Sequence, residues 1–301
     1  MLTTEQTRRV AQQSGARDIE KVETDIILTY LLQLFHEKGI TQHVAFKGGT
    51  MLRKMIFGPR GRYSTDLDFT RRTDISDEGI MELMLDSLSQ PYHGLSFRFD
   101  RDKDWYFTDD GLAANPVCFH AGNEKGVKIK LQVSLREKPV LPVRAVPQIK
   151  QDYFSLLPFV PADIPSLTYE EAVSEKIRAA SQRSKIRDLH DLSEVAGRPI
   201  NRDLVRPLAV IKLWESKQGN LNYTQFAAQI EGGKDYDLRD LENLLRKDQR
   251  PDLKAMIARV KESFRFLGQT SELEGKLARD DGRRRKVEIE QLKAETIRRA
   301  G

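Results

Sequence analysis

Phe46-Lys47-Gly48-Gly49-Thr50, followed after residues 51–65 by Asp66-Leu67-Asp68-Phe69, decides how this 301-residue chain is read. His43-Val44-Ala45-Phe46 is a short apolar run predicted to be a strand. Met51, Leu52, Met55 and Ile56 recur at helical spacing. The segment is therefore strand, glycine turn, helix. Two glycines let a backbone approach a ligand closely, and free N–H groups at a helix start favour phosphate. Thr50 can cap that helix or touch a phosphate oxygen. Alone, Gly48-Gly49 reads first as a tight strand-to-helix turn and only second as a phosphate cradle. Residues 64–70 alternate as a strand, so Asp66 and Asp68 share one face while Leu67 and Phe69 face a core. Neighbouring carboxylates repel unless a cation neutralises them. Mg²⁺ takes oxygen ligands and shares them with substrate phosphates. An isolated Asp-x-Asp would read as exposed edge-strand acids; behind a phosphate-cradling turn and a basic loop it reads as a metal and nucleotide site.

Working outward, residues from about Glu5 to Lys38 read as one helix ended by Gly39. Residues 74–89 form another, with Ile80, Leu83, Met84 and Leu88 on one face. Residues 95–150 are β-rich: Leu95, Phe97 and Phe99 alternate, 105–107 and 117–120 are short strands, and 126–135 reads as one strand. In that strand Ile129, Leu131, Val133 and Leu135 take the apolar face and Lys128, Lys130, Gln132 and Ser134 the polar one. Trp105, Tyr106 and Phe107 are expected in the core. Prolines at 139, 142, 147, 158, 161 and 165 punctuate the next stretch, and a domain boundary is expected near Pro165. This divides the chain into an α/β domain, 1–165, and a helical domain, 166–301. Thr168 with Glu171 is a capping-box signature. Helices are expected over 169–180, around Leu189 to Val195, and over Leu204 to Lys217, Tyr223 to Ile230, Leu238 to Arg246 and Asp252 to Leu267. Residues 279–301, with eight basic and five acidic residues, read as a charged helix or a loose tail.

A second constellation lies in the helical half. Lys176, Ala180 and Arg183 fall at helical spacing on one face. Lys176 offers a triphosphate a point charge and Arg183 a planar fork. Asp188 and Asp191 share a face of the following helix. The structural alternative is a salt-bridged helix pair, with Arg187 paired to Asp191.

Net charge is +5, which points weakly to an anionic partner. Its distribution is more informative. Lys47, Arg53, Lys54, Arg60 and Arg62 fall between 47 and 65 without an acid; seven basic residues fall between 124 and 150; five more fall between 176 and 187, again without an acid. These clusters read either as solvated faces or as parts of one anion-binding surface. Cys118 is the sole cysteine, which excludes an internal disulfide and a multi-cysteine metal site. The five histidines lack metal-ligand spacing and are taken as structural or solvated. No apolar run is long enough to span a membrane and no signal-peptide pattern opens the chain, so no membrane partner and a cytoplasmic location are expected.

Lys47-Gly48-Gly49-Thr50 with Tyr63-Ser64-Thr65-Asp66-Leu67-Asp68-Phe69 resembles the AbiEii/MenT nucleotidyltransferase toxins of the DNA polymerase beta-like superfamily. A second matching block is Ser174-Glu175-Lys176-Ile177-Arg178-Ala179, with Arg183, Arg187-Asp188-Leu189 and Asp191-Leu192. The resemblance covers roughly residues 25–200. It implies an α+β fold: a nucleotidyltransferase-like mixed sheet with flanking helices, then an all-helical C-terminal domain that completes the site and binds substrate. It implies Mg²⁺ on Asp66 and Asp68. Nucleotide contacts would come from Lys47, Gly48, Gly49, Thr50, Ser64, Lys176 and Arg183, and Asp188 or Asp191 would complete the catalytic set. It implies NMP transfer from an NTP to the tRNA 3′ end, a block of translation, and a cognate antitoxin. Basic clusters at 125–150 and along the C-terminal helices would hold the RNA backbone. Some relatives are silenced by phosphorylation beside the acidic pair, where Ser64 and Thr65 stand. The chain departs from the wider superfamily in one respect: the strand expected to carry a third carboxylate has none. Alternatives are a protein-NMPylating (AMP-transferring) enzyme, a basic nucleic-acid-binding regulator without catalysis, and a phosphohydrolase, the last disfavoured by the lack of histidine ligands.

Overall fold

The expected first helix is two. Ser14 and Gly15 end α1 (Thr4–Gln13), Gly15 at φ 65°, and Asp18 starts α2 (Ile19–Glu37) by accepting the Glu20 N–H. A Cα-level pattern of apolar residues does not register such a break, because both helices bury residues at helical spacing. The computed structural model describes residues 1–109, 111–216, 218–233 and 236–301. The chain falls into two compact units. One comprises Met1–Pro139, Val143–Leu167 and Glu242–Arg250; the other comprises Val140–Pro142, Thr168–Leu241 and Pro251–Gly301.

In the first unit β1 (Val44–Lys47) runs into the short α3 (Gly48–Met51), which widens into a π-helical turn over Leu52–Phe57. Then follow β2 (Asp66–Arg71), α4 (Asp77–Leu88), β3 (Ser96–Arg98), β4 (Trp105–Thr108), β5 (Gly111–Ala114), β6 (Val117–His120), β7 (Asn123–Lys128), β8 (Lys130–Ser134), β9 (Arg144–Val146) and β10 (Ile164–Ser166). Seven strands form one mixed sheet in the order β4-β5-β8-β2-β1-β10-β9; β3, β6 and β7 form an antiparallel sheet of three. β2 is thus the central strand, antiparallel to β1 and parallel to β8. Its Leu67 and Phe69 are buried, with the Phe69 ring 5.4 Å from Phe46 and 6.0 Å from Phe35 of α2. The expected single strand over 126–135 is two strands in different sheets. Ile129 between them donates to the Pro116 carbonyl, so the apolar alternation continues through a change of hydrogen-bond partner. Pro165 lies within β10, whose Ser166 stands opposite Phe46 of β1. Only Trp105 of the expected aromatic core trio is buried; Tyr106 and Phe107 on the edge strand β4 are exposed.

The second unit is helical: α5 (Tyr169–Gln182), α6 (Ile186–Ala196), α7 (Arg202–Ser216), α8 (Tyr223–Glu231), α9 (Leu238–Glu242, whose last residue belongs to the first unit), α10 (Leu253–Ser263), α11 (Glu272–Leu277) and α12 (Lys286–Ala300). Lys217, the expected end of the α7 helix, lies outside the described residues. Thr168 caps α5, but Glu171 does not close a capping box. Its carboxylate accepts the Val140 and Leu141 N–H groups at 2.8 and 2.9 Å and meets Lys212 at 2.8 Å. The expected tail is a helix, with Ile289, Leu292 and Thr296 of α12 buried. Together the units make the expected α+β class, a mixed sheet with flanking helices and a helical C-terminal region. Among the described residues no helix is long and apolar enough to cross a membrane.

Arg53 and Lys54, expected on a solvated or phosphate-binding face, are buried against Asp25 of α2. Arg53 Nε lies 3.1 Å from Asp25 Oδ1, and Lys54 Nζ reaches Asp25 Oδ1 at 3.1 Å, Thr29 Oγ1 at 2.8 Å and Tyr153 Oη at 3.0 Å. Tyr153 donates to Asp25 Oδ2 at 2.9 Å. Burial alone would raise the Asp25 pKa; Arg53 and Lys54 outweigh it and hold the carboxyl at about 2, against an ordinary 3.8. A depressed carboxyl contributes stability fully above its unfolded pKa, and that contribution is lost as pH falls from about 4 to about 2. The displacement corresponds to about 2 kcal/mol. Asp25→Asn leaves two buried cations without a counter-charge and is expected to cost about 3–5 kcal/mol at pH 7. In urea titrations from pH 5 to pH 2 the wild type should lose stability more steeply than the variant. Parallel pH slopes would overturn this account of the network.

Candidate active site

The glycine turn and the acidic strand meet at one point. Gly48 sits at φ 81°, a conformation that side chains other than glycine rarely adopt. A Cβ there would lie 2.2 Å from Asp68 Oδ2 and 2.8 Å from Asp68 Cβ. Glycine is thus required twice at this position, for its dihedral and for the carboxylate it abuts. At Gly49 a Cβ would lie 2.6 Å from Arg62 Nη2 and 3.2 Å from Ser64 Oγ. Arg62 is buried and donates to the Tyr63 carbonyl at 3.1 Å. The sequence reading placed Arg62 in a basic loop but gave it no role at the turn. Nothing in spacing signals that the loop folds back over Gly49.

Ladder register arranges the charges. Lys47 stands opposite Asp68 across the β1–β2 pair, and Lys130 and Gln132 of β8 stand beside Asp66 and Asp68. Cross-strand partners project to the same face, so Lys47, Asp66, Asp68, Lys130 and Gln132 share it. The absence of an acid on β8 holds in three dimensions: Gln132 is the neighbour of Asp68. Thr65 Oγ1 donates to Asp66 Oδ1 at 3.0 Å. Thr50 is wholly buried and donates its hydroxyl to the Asp66 carbonyl, which ties the turn to the strand. Its hydroxyl is therefore spent on protein, not offered to a phosphate. Ser64 is buried, facing Gly49.

The donor set fits a hard divalent cation. Asp66 and Asp68 are carboxylates on one face of a strand, and the missing Cβ of Gly48 leaves room for the Asp68 carboxylate to pack against the turn. Among the described residues no group of three His, Cys, Asp or Glu gathers as a metal cage. Asp66 and Asp68 are the residues of this face that could hold a divalent cation.

In the second unit the predicted residues do come together. Lys176 Nζ lies 3.1 Å from Asp188 Oδ1 and 2.7 Å from Asp191 Oδ2, and all three residues are buried. Arg183 does not share a helical face with Lys176. It is the C-cap of α5, with extended φ −151° and ψ 154°, and from there its Nε reaches Asp188 Oδ2 at 2.9 Å. The partner of Asp191 is Lys176 rather than the exposed Arg187 of the salt-bridge alternative. Burial would raise the Asp188 pKa, but Lys176 and Arg183 overcome this and hold the carboxyl below its ordinary range. Burial, then the charge of Asp188, pushes the Tyr236 hydroxyl up to about 12. His190 is buried, and its Nδ1 lies 3.9 Å from Asp191 Oδ1, too far for a hydrogen bond. Cys118 is buried, and burial raises its thiol to about 12, which makes it inert.

Comparison with known proteins shows the family and the fold. The family model "Nucleotidyl transferase AbiEii toxin, Type IV TA system" matches residues 30–279. The fold matches MenT4, nucleotidyltransferase toxin Rv2826c from Mycobacterium tuberculosis H37Rv, with a TM-score of 0.81 and 26% identity over 98% of this chain and 99% of that one. Overlaps are lower with a candidate nucleotidyltransferase from H. pylori (TM-score 0.49, 17% identity, 81% of this chain and 94% of that one). The same holds for JHP933 from Helicobacter pylori (TM-score 0.47, 17% identity, 79% and 90%). No curated protein sequence matches. With the family model spanning most of its length, the chain belongs to the AbiEii nucleotidyltransferase toxins of type IV toxin–antitoxin systems.

Proposed function

We propose that this toxin is a Mg²⁺-dependent enzyme that moves an NMP from an NTP to the 3′ end of tRNA and thereby blocks translation. The observation that carries the reading is the seating of Gly48 against the Asp68 carboxylate, which sets a glycine turn beside a paired-acid strand. Asp66 and Asp68 are assigned the cation, whose charge neutralises the NTP phosphates when bound. Lys47, Gly48, Gly49 and Ser64 are assigned the β/γ end of the NTP, with Thr50 acting through its tie to Asp66. Residues 166–301 are assigned the leaving group and the acceptor: Lys176 and Arg183 take the departing pyrophosphate. The acceptor 3′-hydroxyl oxygen bonds to the α-phosphorus as the bond to the β-phosphate bridging oxygen breaks. The hydroxyl proton is assigned to Asp188 or Asp191. Transfer of this kind depends mostly on positioning and charge neutralisation. The family's toxin–antitoxin setting supplies the remaining partner, a cognate antitoxin.

The test is incubation with each α-labelled NTP, Mg²⁺ and total tRNA, followed by a denaturing gel. Label on tRNA from one nucleotide is the expected result. Label on a protein band would move the acceptor to a protein hydroxyl, and tight tRNA binding with no label anywhere would leave a non-catalytic regulator. Asp68→Asn should lower transfer by about 10³-fold, equivalent to several kcal/mol of metal-derived stabilisation. Gly48→Ala should lower transfer by at least about 100-fold, because the added methyl displaces the Asp68 carboxylate. If Gly48→Ala transfers at the wild-type rate, the turn is not part of the site.

A further inference from the structure

Residues 276–286, Lys-Leu-Ala-Arg-Asp-Asp-Gly-Arg-Arg-Arg-Lys, hold six cations and two acids. The segment links α11 to α12 and is not a loose charged run. Asp280 is buried at 8% exposure. It accepts Trp214 Nε1–H at 3.0 Å and the backbone N–H groups of Arg284 and Arg285 at 3.1 and 2.9 Å. Arg283 adopts φ 51°, a left-handed conformation that disfavours a side chain. Its guanidinium offsets that strain by donating to Asn220 Oδ1, the Asp280 carbonyl and the Gly219 carbonyl, each at 2.7 Å. Asp281 accepts from Asn220. One acid and one arginine are thus consumed in building the turn.

What the turn displays is cationic. Lys276, Arg279, Arg284, Arg285 and Lys286 are exposed. Lys276 and Arg285 have helical partners, Glu272 and Glu288. Among the described residues no carboxylate pairs with Arg279, Arg284 or Lys286. Lys286 Nζ is held 4.6 Å above the Trp214 ring, a cation–π seat that fixes where its charge is presented. A preorganised set of unpaired cations on a strained, internally braced turn needs a reason that a merely solvated charge run would not.

Resting on the RNA-acceptor reading above, we infer that the α11–α12 turn is a docking surface for the RNA phosphate backbone. Protein interfaces have an apolar centre, and among the described residues of 276–287 Val287 is the one large apolar side chain that is exposed. Nucleic-acid interfaces are polar and far more positive. Arginine's planar fork and lysine's point charge both suit phosphate oxygens. The surface reads no base; it sets affinity and register.

The experiment uses the full chain with Arg279, Arg284 and Lys286 each replaced by Gln, which spares Asp280, Arg283 and Trp214. Binding of labelled tRNA is measured from low to high salt, with nucleotide KM and urea stability as controls. The variant should bind tRNA about tenfold or more weakly, and the slope of log K against log salt should fall by about 2. Nucleotide KM and stability should not move. A wild type that binds tRNA with a salt slope, and a variant with the same slope and affinity, would overturn the docking surface and leave the RNA acceptor standing. A wild type without salt-dependent tRNA binding would overturn the RNA acceptor and the docking surface together. Polyglutamate competing as well as tRNA at equal charge would overturn the RNA assignment in favour of an acidic protein.

Discussion

A single buried carboxylate, Asp25, ties together the parts of the sheet unit that carry the glycine turn and the acidic strand. Two cations from consecutive positions of the π-helical turn, Arg53 and Lys54, close on it from the segment directly after the glycine turn. Two positive charges against one negative would be unstable in a dry interior. The surplus is absorbed in three ways. Burial, opposed by Asp25, brings Lys54 down to about 8. The Thr29 and Tyr153 oxygens accept from its ammonium. The Arg53 guanidinium spreads its charge onto the Gly61 and Pro59 carbonyls and over the Tyr63 ring, 4.0 Å from its centroid. The last of these matters most for the site. Arg53 reaches both α2 and the loop leading to Asp66, and Lys54 accepts the Ile149 N–H through its carbonyl. The turn at Gly48 and the strand bearing Asp68 are therefore fixed to one helix, and a packing of Asp68 against Gly48 too close to admit a Cβ can persist.

Much of this was readable in the chain, and what was readable had local causes. Strand-turn-helix at residues 43–56 follows from an apolar run, two glycines and helical spacing. The shared face of Asp66 and Asp68 follows from a period of two, and the meeting of Lys176, Asp188 and Asp191 from helical periods on either side of a short link. The unreadable parts are long-range or depend on one backbone angle. Burial of Arg53 and Lys54 requires Asp25, nearly thirty residues away. Arg183 leaves the helix one residue before its expected register, because its extended dihedrals, not its spacing, send it to Asp188. The break at Ile129 was hidden because the strand period continues across it while the hydrogen-bond partner changes. Arg62 at Gly49 left no local signal.

The two constellations solve the same electrostatic problem by opposite means. In the helical unit Lys176, Arg183, Asp188 and Asp191 sum to zero charge, and three of the four are buried, so the side chains neutralise one another directly. On the sheet the compensation is positional. Register sets Lys47 opposite Asp68 and Lys130 beside Asp66, one cation in line with each acid. Opposite charges in such cross-strand positions attract modestly. A divalent ion binds two carboxylates far more strongly than a lysine on a neighbouring strand can. In the proposed reaction, these two lysines stand on the face that carries the acids, where a triphosphate arriving with its cation would meet them. Gln132, beside Asp68, adds no third negative charge to that face.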